Sequence, residues 1–407
     1  MSMLKRWQNR IFLTLWITYA SFYLGRMNFS VVLPQIMTDF GLTRTDVGAI
    51  GTALFWAYAI GQFINGQLGD KFGARILVTV GLTVSALMNL LFGFSNTLGA
   101  MIIIWAINGY AQSMGWAPIV KTLASWFSSS VRGKMSGLLG TSYILGGAIS
   151  VVLAGFIAVR AGWQATFFIP CALLLLSSIH WYLRVRNSPE STDGKSKEKY
   201  LGLRYTLKNS IGNRQVRLMG LGLFFVNIMR YGFLTWAPMY LFETQGAEID
   251  KAAYSSVIFP LAGALGAIVA GYVTDRWFQS RRAPVACIGL ILAGILAWSY
   301  RFIVPVNAWV LGLVTLAGIG FAVFGAHVLI VAAAPMDLGT RKAASSATGF
   351  IDGCGYIGAG LQGVTTGLLV DNWGWNAGFT FWIISALIAA VIMALLWGHK
   401  PPEQTYA

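Results

Sequence analysis

The sequence predicts an all-α membrane protein of twelve transmembrane helices in two six-helix halves, and three observations predict it. The 407 residues are 56% apolar and 11% charged, where soluble domains carry roughly 25% charge. Apolar runs of about twenty residues, long enough to span a ~30 Å hydrocarbon layer, fall over 11–35, 46–69, 75–95, 99–127, 132–159, 163–184, 215–242, 254–277, 284–303, 308–335, 342–370 and 374–398. Three features of the first half then recur, in order, in the second. Arg26 pairs with Arg230 at an offset of 204, Gly66-Gln67-Leu68-Gly69-Asp70-Lys71 with Gly271-Tyr272-Val273-Thr274-Asp275-Arg276 at 205, and Gly162-Trp163 with Gly374-Trp375 at 212.

The halves are expected over 1–185 and 215–407, joined by a polar linker over 186–214. Six spans per half bring the second half into the membrane in the orientation of the first, a parallel repeat about an axis along the membrane normal. Of the 29 Lys and Arg, only Arg44, Arg160, Lys251 and Arg301 fall on one set of connections, and Arg26, Lys121 and Arg230 fall inside spans. The rest gather at the termini, in the linker and on the other connections, the positive-inside pattern that places both termini in the cytoplasm of an inner or plasma membrane protein. The +15 formal charge thus belongs to the membrane surface, and no basic patch interleaved with exposed aromatics points to nucleic acid. Met1–Arg10 is basic, but the apolar run after it continues past Val32 without a small-residue cleavage site, so a retained first helix is expected. Cys171, Cys287 and Cys354 lie in apolar runs and form no disulfide framework or metal spacing. No cofactor, metal or catalytic residue is expected: no nucleophile signature accompanies His180 or His399, and no glycine loop follows a strand.

The chemistry lies in the charges that the membrane should exclude. Arg26 sits in the middle of the first span, where a charge facing lipid costs at least ~2.5 to 3.5 kcal/mol. Arg230 does the same in the seventh, and no acidic residue lies mid-span beside either. A guanidinium is planar, permanently charged and bidentate toward phosphate or carboxylate oxygens, so both arginines are candidate anion ligands. Tyr19, Tyr23 and Arg26, at i, i+4 and i+7, share one helix face, as do Asn227 and Arg230 at i and i+3. Trp116, Tyr231 and Trp236 are further cavity candidates. Asp70, Lys71 and Arg75 after the second span, and Asp275 and Arg276 after the eighth, form a recurring motif. An Asp at a helix C-terminus faces the negative end of the dipole and needs another group to hold it, so the motif is read as a state-dependent latch. Lys121, on the cytoplasmic side of the fourth span, is read as a gate residue. Asp352 and His327 are intramembrane ionisable groups and hence candidates for proton coupling. A counter-ion or cytoplasmic-mouth role for Asp352 and a packing role for His327 stand beside that reading.

The motif Gly66-x-x-x-Asp70-Lys71-x-Gly73-x-Arg75, in a chain of two six-span halves, resembles the major facilitator superfamily over the whole length. Tyr23-Leu24-Gly25-Arg26-Met27-Asn28-Phe29, Gly115-Trp116-Ala117-Pro118 with Ser125-Trp126-Phe127, Arg230-Tyr231-Gly232-Phe233-Leu234-Thr235-Trp236-Ala237-Pro238 and Arg341-Lys342-Ala343-Ala344 look like the organophosphate:phosphate antiporter family. The resemblance implies that Arg26 and Arg230 hold the phosphate, that Tyr58 lines the cavity, and that the carrier works as a monomer on a small anionic substrate such as a phosphate ester or inorganic phosphate. Four positions depart from the family pattern, the intramembrane Asp352 among them. Gln62 stands where close members carry a cavity lysine, Met27 replaces a basic residue, and Tyr143 replaces a histidine. The expected function is exchange of an organophosphate for phosphate by alternating access. A proton-coupled organic-anion symporter (carboxylate or phosphonate) and a sugar-phosphate sensor are the alternatives.

Overall fold

Inside hydrocarbon a backbone finds no water, so each apolar run must close its own N–H and C=O groups, and an α-helix does this within one segment. The computed structural model describes residues 3–127, 129–187, 212–304, 308–333 and 341–398. The linker stretch 188–211 lies outside the described residues. In chain order the helices are α1 (Met3–Leu24), α2 (Asn28–Val31), α3 (Leu33–Phe40), α4 (Arg44–Phe72), α5 (Ala74–Gly93), α6 (Leu98–Gln112), α7 (Trp116–Trp126) and α8 (Ser129–Arg184). They continue with α9 (Arg214–Gln245), α10 (Ile249–Ser256), α11 (Ile258–Trp277), α12 (Arg282–Ile303), α13 (Trp309–Val328), a π-helical turn (Leu329–Ala333), α14 (Arg341–Trp373) and α15 (Trp375–Ala394).

Over the described residues, each expected span falls on this helical succession. The first runs over α1 to α3 and the fourth over α6 and α7, because turns at 25–27 and 113–115 divide those apolar runs. The fifth and sixth share α8, which breaks at Gly162 (φ 79°, ψ 167°). Gly374 takes nearly the same conformation before α15 (φ 73°, ψ 178°), a region that a residue without Cβ enters at no steric cost. Among the described residues, seven helical stretches are by themselves long and apolar enough to cross a membrane.

The chain divides into two compact units, one of 1–40 with 53–200 and one of 41–52 with 201–407. The opening turns of α4 therefore group with the second unit although they precede most of the first in sequence. In the first unit α1 packs on the first part of α8, and α5 packs on α6 and on the second part of α8. In the second, α9 packs on α14 and α15, α11 on α13, and α12 on α13 and α15.

The repeat seen in the sequence also appears in the packing. Gly109 meets the Leu54 carbonyl so closely that a Cβ would collide with it, and Gly320 meets the Phe259 carbonyl in the same way, at offsets of 211 and 205. Gly146 against Ala20 and Gly358 against Phe224 repeat at 212 and 204. Small residues at these crossings let the backbones approach within van der Waals contact, the main attraction available between helices in lipid. Ile60, Ile103 and Leu176 on one unit, and Leu265, Ile268 and Val310 on the other, stand exposed, as a surface solvated by lipid requires.

Candidate substrate-binding site

Arg26 owes its position to a broken helix. When α1 stops at Leu24, the carbonyls of its last turn lose their helical donors, and buried amides replace them. Gln112 Nε2 donates to the Phe22 carbonyl at 2.9 Å, and Asn108 and Asn89 donate to the Gly25 carbonyl at 2.9 and 3.1 Å. Ser85 ties these groups together, donating to Asn108 Oδ1 at 2.7 Å and accepting from Gln112 at 2.9 Å. Asn28, just past the turn, donates to Asn89 Oδ1 at 3.0 Å and to the Thr166 carbonyl at 2.9 Å. Ser85, Asn89 and Asn108 are fully buried. An unpaired buried carbonyl costs about 1–3 kcal/mol, so without these amides the turn would revert toward helix and carry Arg26 with it.

The Arg26 side chain, 5% exposed, lies over the Tyr23 ring with Cζ at 4.2 Å from the centroid, and 5.4 Å from that of Tyr58. A cation over an aromatic face is worth about 2 kcal/mol where it is desolvated. Around it the tyrosines lock one another. Gln62 Nε2 donates to the Tyr58 hydroxyl at 2.9 Å, Tyr143 lies 6.2 Å from Tyr23, and Tyr19 sits 5.8 Å from Tyr23 and 4.6 Å from Trp116. The first unit thus brings together Arg26, Tyr19, Tyr23, Tyr58, Gln62, Trp116 and Tyr143.

Arg230 stands on a different backbone. Helix α9 runs unbroken from Arg214 to Gln245, and Ile319 and Val323 stand at offset 211 where the first unit has Asn108 and Gln112. Arg230 is 6% exposed and lies between two rings, with Cζ 4.8 Å from Tyr231 and 4.5 Å from Phe324. Its Nη1 is 3.5 Å from His327 Nε2. Tyr356 continues the cradle 6.1 Å from Tyr231. Asn227, 1% exposed, packs against Gly355. Trp236 is turned elsewhere, its Nε1 donating to Gln362 Oε1 at 3.2 Å and its ring 6.2 Å from Trp375. Phe324 and Tyr356, and the closeness of His327, were not legible in the sequence.

The motif residues are placed as follows. The Asp70 side chain lies outside what the structure describes. Lys71 is exposed over Phe72, and Arg75 donates to the Tyr182 carbonyl at 2.8 Å and stacks on that ring. Asp275 accepts from Arg282 at 2.7 Å and Ser280 at 2.9 Å, two groups that offset the negative end of α11. Arg276 and Lys121 are exposed, and Asp352 is half-buried on α14. Among the described residues no three His, Cys, Asp or Glu gather as metal ligands.

One further cluster was unexpected. Within the second unit Asp371 accepts from Thr45 N and Oγ1 at 2.8 and 2.7 Å, and from Arg44 N and Nη1 at 3.2 and 3.3 Å. It caps the first turn of α4 from outside that helix. Arg44 also reaches Glu243 at 2.8 Å, which accepts from Trp375 Nε1 at 2.8 Å. The repeat carries a signal of this arrangement: Trp163 donates to Asp39 at 2.7 Å in the first unit, at offsets of 212 and 204.

Over residues 15–363 the sequence matches the Major Facilitator Superfamily. It is 31% identical to the glycerol-3-phosphate transporter of Bacillus subtilis (strain 168), over 97% of this chain and 93% of that protein. It is 29% identical to the membrane sensor protein UhpC of Escherichia coli (strain K12), over 98% and 94%. The fold matches the crystal structure of a bacterial homolog to the human lysosomal transporter Spinster, in an inward-facing and unoccupied conformation, with a TM-score of 0.77 at 16% identity, covering 97% of this chain and 96% of that one. The chain is thus an integral, multi-pass membrane protein of a transporter family, not an enzyme family: it belongs to the major facilitator superfamily, and within it to the organophosphate:phosphate antiporter family.

Proposed function

We propose that the protein carries a phosphate ester across the membrane in exchange for inorganic phosphate, by alternating access, with Arg26 and Arg230 each binding the anion. The observation that carries this reading is that each unit holds an arginine at least 94% buried against aromatic faces, a costly placement that an anionic ligand explains. The similarity to a glycerol-3-phosphate transporter supports a phosphate ester as that anion. A dianion neutralises two fixed charges, and a ligand shifts the conformational equilibrium only through its different affinity for the two states. Tight coupling follows when the empty carrier reorients slowly. In this reading both termini are cytoplasmic, the carrier acts as a monomer, and Asp70, Lys71, Arg75, Lys121, Asp275 and Arg276 serve the cytoplasmic gate.

The test is calorimetric binding to the purified protein of inorganic phosphate, glycerol 3-phosphate and hexose phosphates, against glycerol and simple carboxylates. Binding of the phosphate compounds alone supports the reading, and binding of carboxylates alone removes it. The half-buried Asp352 favours a second reading, proton symport. That predicts uptake that follows a pH gradient and loses this dependence in Asp352→Asn. Retained binding without transport would instead favour a sensor, the description that the similar Escherichia coli protein carries.

A further inference from the structure

Beside Arg230 the structure holds a buried ring nitrogen that none of the described residues satisfies. The guanidinium has no acceptor, so at 3.5 Å from its Nη1 the Nε2 of His327 must be the accepting nitrogen. In a neutral imidazole the proton then sits on Nδ1. Nδ1 is buried and has no hydrogen-bond partner among the described residues, and the residue as a whole is 8% exposed. Buried donors in native structures are nearly always paired, so one left unpaired by the described residues beside a candidate anion ligand is placed to donate to a bound anion. The backbone around it is unusual as well, because α13 passes into the π-helical turn Leu329–Ala333 directly after Val328, a distortion frequent at functional sites. The repeat supports the same position. His327 corresponds at offset 211 to Trp116, whose ring packs on Tyr19 in the first unit's cradle.

We propose that His327 is a substrate-binding and specificity-determining residue: its Nδ1–H donates to a phosphoryl oxygen of the anion held by Arg230, while Arg230 fixes the tautomer through Nε2. The inference rests on the phosphate-ester reading above and deepens it. A neutral donor beside a fixed cation favours an anion with several acceptor oxygens around one centre, such as a phosphoryl group, over a planar carboxylate whose two oxygens the guanidinium alone satisfies.

Two amide substitutions separate this role from packing. In His327→Asn the side-chain amide N–H falls near the position of Nδ1. In His327→Gln it falls near Nε2, and His327→Leu removes both. Binding of inorganic phosphate and glycerol 3-phosphate to the full-length purified protein is measured by calorimetry. The expected result is affinity within about threefold of wild type for His327→Asn and at least tenfold weaker for His327→Gln and His327→Leu. Retention in His327→Gln with loss in His327→Asn would show that only the contact with Arg230 matters and would overturn the proposal. So would retention in His327→Leu, or equal loss in all three. In any of these cases wild-type phosphate binding leaves the phosphate-ester reading standing, whereas a wild type that binds no phosphate compound removes that reading first. A measurement free of folding effects uses the wild-type protein with ¹⁵N-labelled histidine, its signals assigned with His180→Gln and His399→Gln. The neutral Nδ1–H tautomer at His327, with an Nδ1 resonance that moves on adding phosphate, is expected. An Nε2–H tautomer, or a resonance that does not move, would refute the assignment.

Discussion

Replacing Asn108 with Leu tests whether the buried amides hold Arg26 in place. The substitution keeps the branching of the side chain but removes the donor to the Gly25 carbonyl at 2.9 Å and the acceptor of the Ser85 hydroxyl at 2.7 Å. Two buried hydrogen bonds are worth about 1 kcal/mol each, and stranding the Ser85 donor adds about 1–3 kcal/mol. The apolar side chain returns about 1 kcal/mol, while Gly25 keeps its bond from Asn89. The net loss is about 2–4 kcal/mol of stability, read by reversible unfolding of the purified protein in mixed micelles. Adding Ser85→Ala in the same background removes the stranded hydroxyl but also the acceptor of Gln112 Nε2, so a double-mutant cycle is used to isolate the coupling between Asn108 and Ser85. Because the turn at 25–27 relaxes, phosphate affinity should fall at least fivefold. A variant within about 0.5 kcal/mol of wild type with unchanged affinity would show that the amides do not set the turn; the figure compares with the ~1 kcal/mol of one hydrogen bond.

Three other outcomes follow from the same geometry. Arg26→Lys and Arg230→Lys each keep the charge but lose the planar fork and part of the ring contact, a loss of about 2 kcal/mol, so phosphate affinity should drop roughly 30-fold in calorimetry with melting temperature nearly unchanged. Gly320→Ala drives a Cβ into the Phe259 carbonyl and should cost about 1–3 kcal/mol as overpacking, seen as a lowered melting temperature. Burial alone would raise the Asp371 carboxyl, but the bonds from Thr45 and Arg44 outweigh it and hold the group below its ordinary value. A depressed pKa contributes stability that is present above the unfolded value and is lost as pH falls through the lower folded value. Melting temperature should therefore drop steeply on acidification below the ordinary carboxylate range in wild type, and less steeply in Asp371→Asn.

Much of the fold is legible from residues alone, because membrane helices announce themselves by length and apolarity and because Gly162 and Gly374 recur with the same backbone need. Arg26 and Arg230 are legible for the opposite reason, as charges where lipid excludes them. The supports around them are not. Asn89, Asn108 and Gln112 read as isolated polar residues in apolar helices, since their partners are backbone carbonyls that leave no trace in side-chain identity. Asp371 meets Arg44 across 327 positions, and nothing local to either predicts the other. Trp236 shows the converse. Its sequence neighbourhood points to the cavity, while its indole N–H is committed to Gln362. His327 reads in the sequence as a proton-coupling or packing group, because its distance to Arg230 depends on how α13 crosses α9, which periodicity does not give.

The central claim, exchange of phosphate for a phosphate ester, is tested most directly in proteoliposomes loaded with labelled inorganic phosphate. They are challenged outside with phosphate, phosphate esters or carboxylates, with and without a pH gradient. The account predicts that label leaves only when phosphate or an ester is present outside, and at the same rate whether or not the gradient is applied. Label that stays inside while a carboxylate enters in proportion to the proton gradient would contradict it.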